Sequence, residues 1–255
     1  MLNLKKEAES LKQEEFRLGE CPACGSLISH QYFMRHAETK KESKWFSCVC
    51  GVVFQDKKPT FDYDQKYWDK YNDQCKKIRA SYEYPVRIYA PIIEDRMYGR
   101  RVLLVGKQTS HQEDAFKERG WVPTSIDRNP ASNPHILSDF EKYQFPETIK
   151  YNLIWIYHAL ECLHDPIASL DLCSKLLAED GIIVIVSPDS DFIHTRSSSN
   201  FMHWNDAENY MMWNRRSISK KMESLKFDTI LLAQNQEPRF PQRDDFHGIW
   251  QKKFF

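Results

Sequence analysis

The middle of the chain alternates short apolar runs with amphipathic stretches. Residues 102–105 form an apolar run that is typical of a buried parallel strand, and residues 121–126 predict the next strand. Between them, Ala115 and Phe116 mark the apolar face of an amphipathic stretch that ends at Gly120. This order predicts a strand, a helix and a second strand, which is a βαβ unit.

Further elements are predicted on both sides of this unit. A helix is expected over residues 82–95, and another begins at Asp165 and Pro166, because aspartate favours the N-cap and proline the first helical turn. Gly181 predicts a turn before a later strand. Strands are expected over residues 153–157, 182–186 and 227–232, with a final antiparallel strand in the tail. The sequence therefore predicts an α/β protein with a doubly wound, mostly parallel sheet.

The N-terminal part of the chain has a different pattern. Residues 1–18 are highly charged, with apolar residues at helical spacing, and predict an amphipathic helix. Residues 19–58 hold four of the seven cysteines and predict a small separate domain. Residues 59–255 then form the α/β domain, and its polar and aromatic segment 61–74 predicts a helix.

The four clustered cysteines predict a metal site. Cys21 and Cys24 stand in CPACGS, and Cys48 and Cys50 stand in CVCGVVF, with a glycine after each pair. Four thiolates satisfy a structural Zn(II) ion and leave no open coordination position. The pattern therefore predicts a zinc ribbon in which these four cysteines bind one zinc ion.

The second cysteine pair is one residue tighter than usual, which leaves the third ligand open. Either Cys48 reaches the metal, or His30 or His36 replaces it. The remaining cysteines stand alone in apolar or helical contexts and are interpreted as packing residues: Cys75, Cys162 and Cys173.

Composition and charge narrow the class of protein. Hydrophobic residues make up 41% and charged residues 28% of the chain, which is typical of an ordinary folded protein. The formal net charge is zero, and this argues against binding to nucleic acid or anionic membranes through overall charge. The charged first segment is unlike a signal peptide, and no apolar run is long enough for a transmembrane helix. We therefore expect a cytoplasmic protein without membrane association.

Two linked blocks resemble one enzyme superfamily. VLLVGKQTS and the later KERGWVPTSID are similar to the first motif of class I S-adenosylmethionine-dependent methyltransferases and its continuation through the second strand. YNLIWIYHALECLHDPIASLDLCSKLLAEDGIIVIVSPD is similar to a later block. The resemblance covers residues 61–232 and implies a Rossmann-like methyltransferase domain. It is strongest to small-molecule and nucleotide-sugar methyltransferases with an N-terminal zinc knuckle.

The resemblance also implies a cofactor site. Asp127, at the end of the second strand, would accept hydrogen bonds from the ribose hydroxyls of S-adenosylmethionine. Gly106 is the one glycine that remains of the family's glycine-rich turn. Lys107 either pairs with the methionine carboxylate or is a solvated loop residue. Asp139 and Phe140 match the segment that holds the adenine, and Asp139 is alternatively the N-cap of a short helix.

Methyl transfer requires that the nucleophile is aligned with the methyl group and, for some acceptors, that a base removes a proton. His158, which the fourth strand directs to the same crevice as Glu161, and His203, in a long aromatic loop, are the candidate bases. We expect methyl transfer to a small molecule such as a sugar nucleotide or a modified nucleotide. The alternative is a non-catalytic binding or scaffold protein whose ribbon contacts a protein or nucleic-acid partner.

Overall fold

The computed structural model describes residues 19–35, 42–56, 79–106, 110–193, 209–234 and 244–253, together with Asp69 and Asp73. The helix predicted over residues 1–18 lies outside these residues, as does the aromatic segment 61–74 apart from the two aspartates. Both therefore stay predictions. No helix of the described ranges is long and apolar enough to cross a membrane.

The strands and helices predicted for the α/β domain within the described residues occur in the predicted order, and further short elements lie before and between them. The strands in the described part of the chain are β1 (Ile28–Arg35), β2 (Glu42–Cys48), β3 (Val53–Gln55), β4 (Arg101–Val105), β5 (Val122–Asp127), β6 (Ile136–Leu137), β7 (Tyr151–Tyr157), β8 (Leu177–Pro188), β9 (Met211–Met212), β10 (Phe227–Gln234) and β11 (Asp245–Lys252). The α-helices are α1 (Arg79–Glu94), α2 (Ser110–Glu118), α3 (Pro166–Leu176) and α4 (Arg215–Ser224). Short 3-10 turns cover Pro130–Ser132, Leu160–Cys162 and Ser190–Ile193.

The main sheet has the strand order β10-β11-β8-β7-β4-β5-β6. The strands from β8 to β6 pair in parallel, whereas β11 is antiparallel to both of its neighbours. The strand order reverses between β4 and β7, and in open α/β sheets ligands bind at the carboxyl ends of strands beside such a reversal. The predicted doubly wound, mostly parallel sheet and its final antiparallel strand are confirmed.

Side chains of the central strands alternate between two hydrophobic cores. On β7, Ile154 and Ile156 belong to the core that contains residues of α3 and α4, whereas Leu153 and Trp155 belong to the core that contains residues of α1 and α2. A sheet with both faces covered needs apolar residues at successive positions. This requirement explains why the strands read as continuous apolar runs in the sequence.

The prediction of a turn at Gly181 is wrong, because this glycine lies inside the twelve-residue strand β8. The pairing of β7 with β8 passes from Tyr151↔Leu177 to Leu153↔Ile182, so the extra residues are taken up by an irregularity in the strand. A Cβ atom at Gly181 would lie 2.8 Å from Leu177 Cδ2. The glycine therefore permits close packing within the strand.

The cysteine-rich domain shares a sheet with the α/β domain. Its sheet has the order β1-β2-β3-β9, and β9 belongs to the connection between β8 and α4. Phe54 of β3 pairs with Met211 of β9. The Gln55 main-chain N–H donates to Tyr210 O at 2.9 Å, and Gln55 Nε2 donates to Asn209 O at 2.6 Å. These contacts fix the small domain beside the carboxyl edge of the main sheet.

Candidate functional site

A cavity opens at the carboxyl ends of β4, β5 and β7, where the strand order reverses. The residues that line it include Gly106, Asp127, Asp139, Phe140 and His158. The structure therefore brings together the predicted cofactor and base residues that it describes.

Two predicted site residues cannot be placed in this cavity. Lys107 follows Gly106 directly in the sequence, and His203 stands in the sequence between β8 and β9, but both lie outside the described residues. Their roles stay predictions.

Gly106 forms the tight turn after β4. Its φ is +68°, and its main-chain N–H donates to Ile126 O at 3.0 Å. A Cβ atom here would lie 2.6 Å from the Cβ of Ala159, which follows β7. Glycine is needed for the left-handed backbone and for the close approach of the two strand ends. This requirement explains why a glycine stands at position 106.

Asp127 ends β5, with its carboxylate at the cavity wall. Its Oδ1 accepts a hydrogen bond from the main-chain N–H of Asn129 at 2.9 Å, and its Oδ2 accepts one from Ser132 Oγ at 3.4 Å. Both donors belong to the loop that follows the strand. The loop therefore holds the carboxylate in a fixed orientation toward the cavity.

Asp139 and Phe140 form the opposite side of the cavity. The main-chain oxygen of Asp139 accepts hydrogen bonds from the N–H groups of Lys142 and Tyr143, both at 3.2 Å, and its carboxylate pairs with Lys142 Nζ. Since the described segment after Asp139 forms a turn and no α-helix, the N-cap interpretation is wrong. Phe140 is buried, and its ring packs edge-on against Phe145 with centroids 5.8 Å apart.

His158 has an unusual backbone conformation. Its φ is +46°, a region that residues other than glycine rarely adopt, and its N–H donates to Val186 O at 2.8 Å. Its side chain is 18% exposed and lines the cavity. Strained backbone of this kind is concentrated at functional sites.

Two buried carboxylates flank the His158 imidazole. Glu161 Oε1 lies 3.4 Å from Nδ1, and Asp245 Oδ2 lies 3.3 Å from Nε2. Ser187 Oγ donates to the other Glu161 oxygen at 3.0 Å. Burial favours the neutral imidazole, but the charge of Asp245 and the contacts with both carboxylates outweigh it and raise the pKa of His158 well above its usual 6.5. The two carboxylates therefore favour the protonated form of the imidazole.

Asp245 is a site residue that sequence reasoning missed. It begins β11, and because β11 is antiparallel to β8, its first residue lies at the carboxyl edge of the parallel strands. The predicted antiparallel strand in the tail, with two acids in RDDFHGIW, was the signal that could have identified it. His164, which also lines the cavity, was missed because it lies in a loop without a distinctive pattern.

The second candidate site is formed by four thiols of the small domain. The Sγ atoms of Cys21, Cys24, Cys48 and Cys50 all lie within 4.8 Å of one another. Cys21 and Cys50 are 3.8 Å apart, and Cys24 and Cys48 are 3.5 Å apart. Four thiolates at the usual Zn–S distance form a tetrahedron with edges of about 3.8 Å. The donor set and its spacing therefore fit a tetrahedral zinc ion.

A glycine completes the backbone turn at each cysteine pair. Gly25, with φ of +71°, donates its N–H to Cys21 O at 2.8 Å. Gly51, with φ of +94°, donates to Cys48 O at the same distance. These turns direct the thiols of each pair to one point, as a shared metal ion requires.

Among the alternatives for the third ligand, the structure favours Cys48. Its thiol lies in the cluster, whereas His30 is exposed and stacks on Tyr32 with ring centroids 6.5 Å apart. His36 lies outside the described residues.

One of the cysteines predicted to be packing residues is placed differently. Cys162 is half-buried at the cavity wall, and its thiol donates to Asn209 Oδ1 at 3.4 Å. It follows β7 in a 3-10 turn, which carries it away from the core. Cys173 is buried in the core as predicted, and Cys75 lies outside the described residues.

Comparison with known proteins identifies the α/β domain. The family described as "Methyltransferase domain" matches residues 76–232, which is more than half of the chain. No curated protein resembles the chain significantly in sequence.

Solved structures share the fold at low sequence identity. A 1,6-didemethyltoxoflavin-N1-methyltransferase of Burkholderia thailandensis, with S-adenosylhomocysteine bound, has 12% identity and a TM-score of 0.56, covering 80% of this chain and 96% of its own. The plantazolicin methyltransferase BpumL, in complex with a desmethylPZN analog and S-adenosylhomocysteine, has 13% identity and a TM-score of 0.56, covering 76% and 92%. An S-adenosylmethionine-dependent methyltransferase of Archaeoglobus fulgidus has 16% identity and a TM-score of 0.54, covering 73% and 100%.

The family match, the strand order and these likenesses agree with one another. The matched region runs from the segment before α1 to β10 and includes Gly106, Asp127, Asp139, Phe140 and His158. The chain therefore belongs to the methyltransferase domain family and has the class I fold of S-adenosylmethionine-dependent methyltransferases.

Proposed function

We propose that this protein transfers a methyl group from S-adenosylmethionine to a small molecule, and that the cavity beside Gly106 holds the cofactor. The observation that carries the proposal is that Asp127, Asp139 and Phe140 line one cavity at the reversal of the strand order. The bound S-adenosylhomocysteine of the structural neighbours supports the choice of cofactor.

Each residue has a role that its position supports. The Asp127 carboxylate accepts hydrogen bonds from ribose hydroxyls, as acids at the end of the second strand do in nucleoside-binding sheets. Asp139 and Phe140 hold the adenine, with the Phe140 ring anchored in the core. Lys107 pairs with the methionine carboxylate. Bound S-adenosylmethionine supplies an activated methyl group on its sulfonium.

His158 is the candidate base for acceptors that lose a proton. An imidazole accepts a proton only when it is neutral, and the two carboxylates beside His158 favour its protonated form by raising its pKa. The base therefore becomes available as the pH rises through its raised pKa. His203 is the second candidate base.

The four-cysteine site binds one Zn(II) ion with a structural role. Four thiolates complete the tetrahedral coordination of zinc, so the site holds no position for a substrate. The metal joins the two cysteine turns that carry β1, β2 and β3.

The acceptor is a small molecule such as a sugar nucleotide or a modified nucleotide. The 1,6-didemethyltoxoflavin bound to one structural neighbour supports the small-molecule class. If the chain does not bind the cofactor, the alternative function is that of a non-catalytic scaffold whose ribbon contacts a protein or nucleic-acid partner.

Thermal unfolding tests the cofactor proposal. A ligand at about 100 times its dissociation constant stabilises the native state by about 2.7 kcal/mol. We expect S-adenosylhomocysteine at millimolar concentration to raise the melting temperature clearly, and adenosine or methionine alone to raise it much less. No shift with S-adenosylhomocysteine would support the non-catalytic scaffold instead.

A further inference from the structure

The zinc ribbon lies against the carboxyl edge of the methyltransferase sheet at more than one point. Besides the pairing of β3 with β9, Ser190 Oγ donates to Gly51 O at 2.5 Å. A Cβ atom on Gly51 would lie 2.0 Å from Asn214 Nδ2, so the second cysteine turn packs directly on the segment before α4. The ribbon is thus held beside the region where an acceptor approaches the methyl group.

A second cavity lies between the ribbon and the start of α3. We call it the ribbon cleft. Its volume is about 290 Å³, close to the lower end of the range for small-molecule sites. Pro22, between the first two cysteines, forms the ribbon side, and the opposite side is formed by His164, Asp165, Tyr210 and Met211.

The ribbon cleft adjoins the cofactor cavity. His164 lines both of them. Glu141, on the wall of the cofactor cavity, accepts a hydrogen bond from the main-chain N–H of Asp165 at 3.0 Å. A molecule in the ribbon cleft therefore lies next to a cofactor bound beside Gly106.

The side chains at the ribbon cleft indicate the chemistry of its ligand. Asp165 and Asp171 contribute carboxylates, and the Asp171 carboxylate is paired with Lys221 Nζ at 2.7 Å. His164 contributes an imidazole, Tyr210 a phenol and Met211 an apolar surface. These groups form hydrogen bonds with hydroxyl and amino groups. None of the described residues that line the cleft is lysine or arginine, the side chains that usually bind phosphate.

The α3 N-terminus does not change this preference. A helix N-terminus attracts anions, but here the Asp165 carboxylate already occupies it and accepts the Ala168 N–H at 2.9 Å. A ligand phosphate at this place would meet a negative charge.

We propose that the ribbon cleft is the acceptor-binding site, and that it selects polar molecules with hydroxyl or amino groups over their phosphorylated counterparts. The proposal rests on the function proposed above and narrows its acceptor class. The ribbon is then part of the substrate site as well as a folding element.

Two matched probes, glucosamine and glucosamine 6-phosphate, test the proposed preference of the ribbon cleft. Their binding is followed by methyl NMR of the zinc-loaded protein in the presence of S-adenosylhomocysteine. We expect glucosamine to shift the methyl signals of Met211 and Ile167, which both line the cleft. We expect the phosphorylated probe to bind roughly tenfold more weakly, because a few ångströms from a carboxylate its charge is repelled by about this amount.

Asp165→Asn isolates the charge, because asparagine caps a helix as well as aspartate does. We expect this variant to reduce the preference for glucosamine to about threefold or less, because Asp171 is already paired with Lys221 and Asp165 carries the main negative charge of the cleft. The control Asp95→Asn, at an exposed acid after α1, should leave the preference unchanged.

Unshifted Met211 and Ile167 signals with glucosamine, or tighter binding of the phosphorylated probe, would overturn the proposal. Calorimetry of S-adenosylhomocysteine on the same samples separates this failure from failure of the proposed function. If the cofactor binds but the probes cause no shifts, the proposal that the ribbon cleft binds the acceptor is wrong and the proposed methyltransferase function stands. If the probes cause shifts but the cofactor does not bind, the methyltransferase function is wrong and the cleft is a binding site for polar molecules only.

Discussion

At the scale of single residues, the most informative side chain is His158, which lies between two acids from different parts of the chain. Glu161 follows in the next turn, whereas Asp245 comes from the last described strand. These neighbours raise the pKa of His158, so its imidazole acts as a base less readily than a histidine with an ordinary pKa.

The first prediction concerns the pKa of His158. Removing the charge of Asp245 removes the main cause that raises it, so Asp245→Asn should lower the pKa of His158 relative to the wild-type protein. NMR titration of the imidazole measures this directly. Asp228→Asn, on the neighbouring strand β10, is the control and should leave the titration unchanged. If the pKa of His158 in Asp245→Asn were as high as in the wild-type protein, the charge of Asp245 would not be what raises it.

The second prediction concerns stability and pH. The pKa of His158 is raised in the folded protein, so its contribution to stability is fully present below its unfolded value of about 6.5 and is lost as the pH rises through the raised value. Urea unfolding should therefore show a smaller difference between wild type and His158→Gln at alkaline pH than at pH 6. A difference that grows with pH would contradict the ion-pair assignment.

The residues of the cavity beside Gly106 differ in how far the sequence predicts them. Asp127 and Phe140 follow from motifs that are continuous in sequence, and the structure places both at the cavity. The contact of Asp245 with His158 depends on strand order across nearly ninety residues, which local patterns do not determine.

At the scale of elements, the two glycines that follow the cysteine pairs have the same backbone role but different surroundings. Both have positive φ, but Gly25 has no heavy atom within 4 Å of its Cβ position, whereas Gly51 packs against Asn214. A side chain at Gly25 would therefore cost only backbone strain, whereas a side chain at Gly51 would also disturb the contact between the ribbon and Asn214.

The third prediction uses this matched pair. Gly25→Ala should cost about 1–2 kcal/mol of stability from the left-handed backbone alone. Gly51→Ala should cost clearly more, because its Cβ also displaces Asn214, the N-cap of α4. Chemical denaturation of both variants measures the two costs. Equal destabilisation would mean that the ribbon does not dock through Gly51.

Strands and helices were largely predictable because each buried strand needs an unbroken apolar run and each helix an apolar face. The exception at Gly181 has a physical reason. A glycine in a polar stretch is typical of a turn, but Leu177 and Ile182, on the two sides of this stretch, both pair with β7 and keep its ends in the sheet.

At the scale of the whole molecule, the chain is a methyltransferase domain with a four-cysteine ribbon joined to the carboxyl edge of its sheet. The pairing of β3 with β9 joins segments more than 150 residues apart, through the two short strands that carry Phe54 and Met211. Two-residue strands such as β9 give no periodic signal, so the sequence could not predict this connection.

The fourth prediction concerns the metal. Purified protein should contain about one zinc ion per chain, and Cys24→Ser should lose it, because closed thiolate sites bind zinc with all four ligands. Elemental analysis measures the content, and Cys162→Ser, outside the cluster, should retain the metal. Hydrogen exchange of Cys24→Ser should also increase in β3 and β9, which the ribbon holds together. Wild-type protein without zinc would contradict the assignment.

The central claim is that the cavity beside Gly106 binds S-adenosylmethionine through Asp127, and calorimetric titration tests it most directly. Hydrogen bonds from ribose hydroxyls to a carboxylate contribute about 1.5–3 kcal/mol each when shielded from water. We therefore expect the wild-type protein to bind S-adenosylmethionine, Asp127→Ala to bind it at least about tenfold more weakly, and Asp95→Ala to bind it as the wild type does. Wild-type protein that shows no binding at millimolar cofactor would contradict the account.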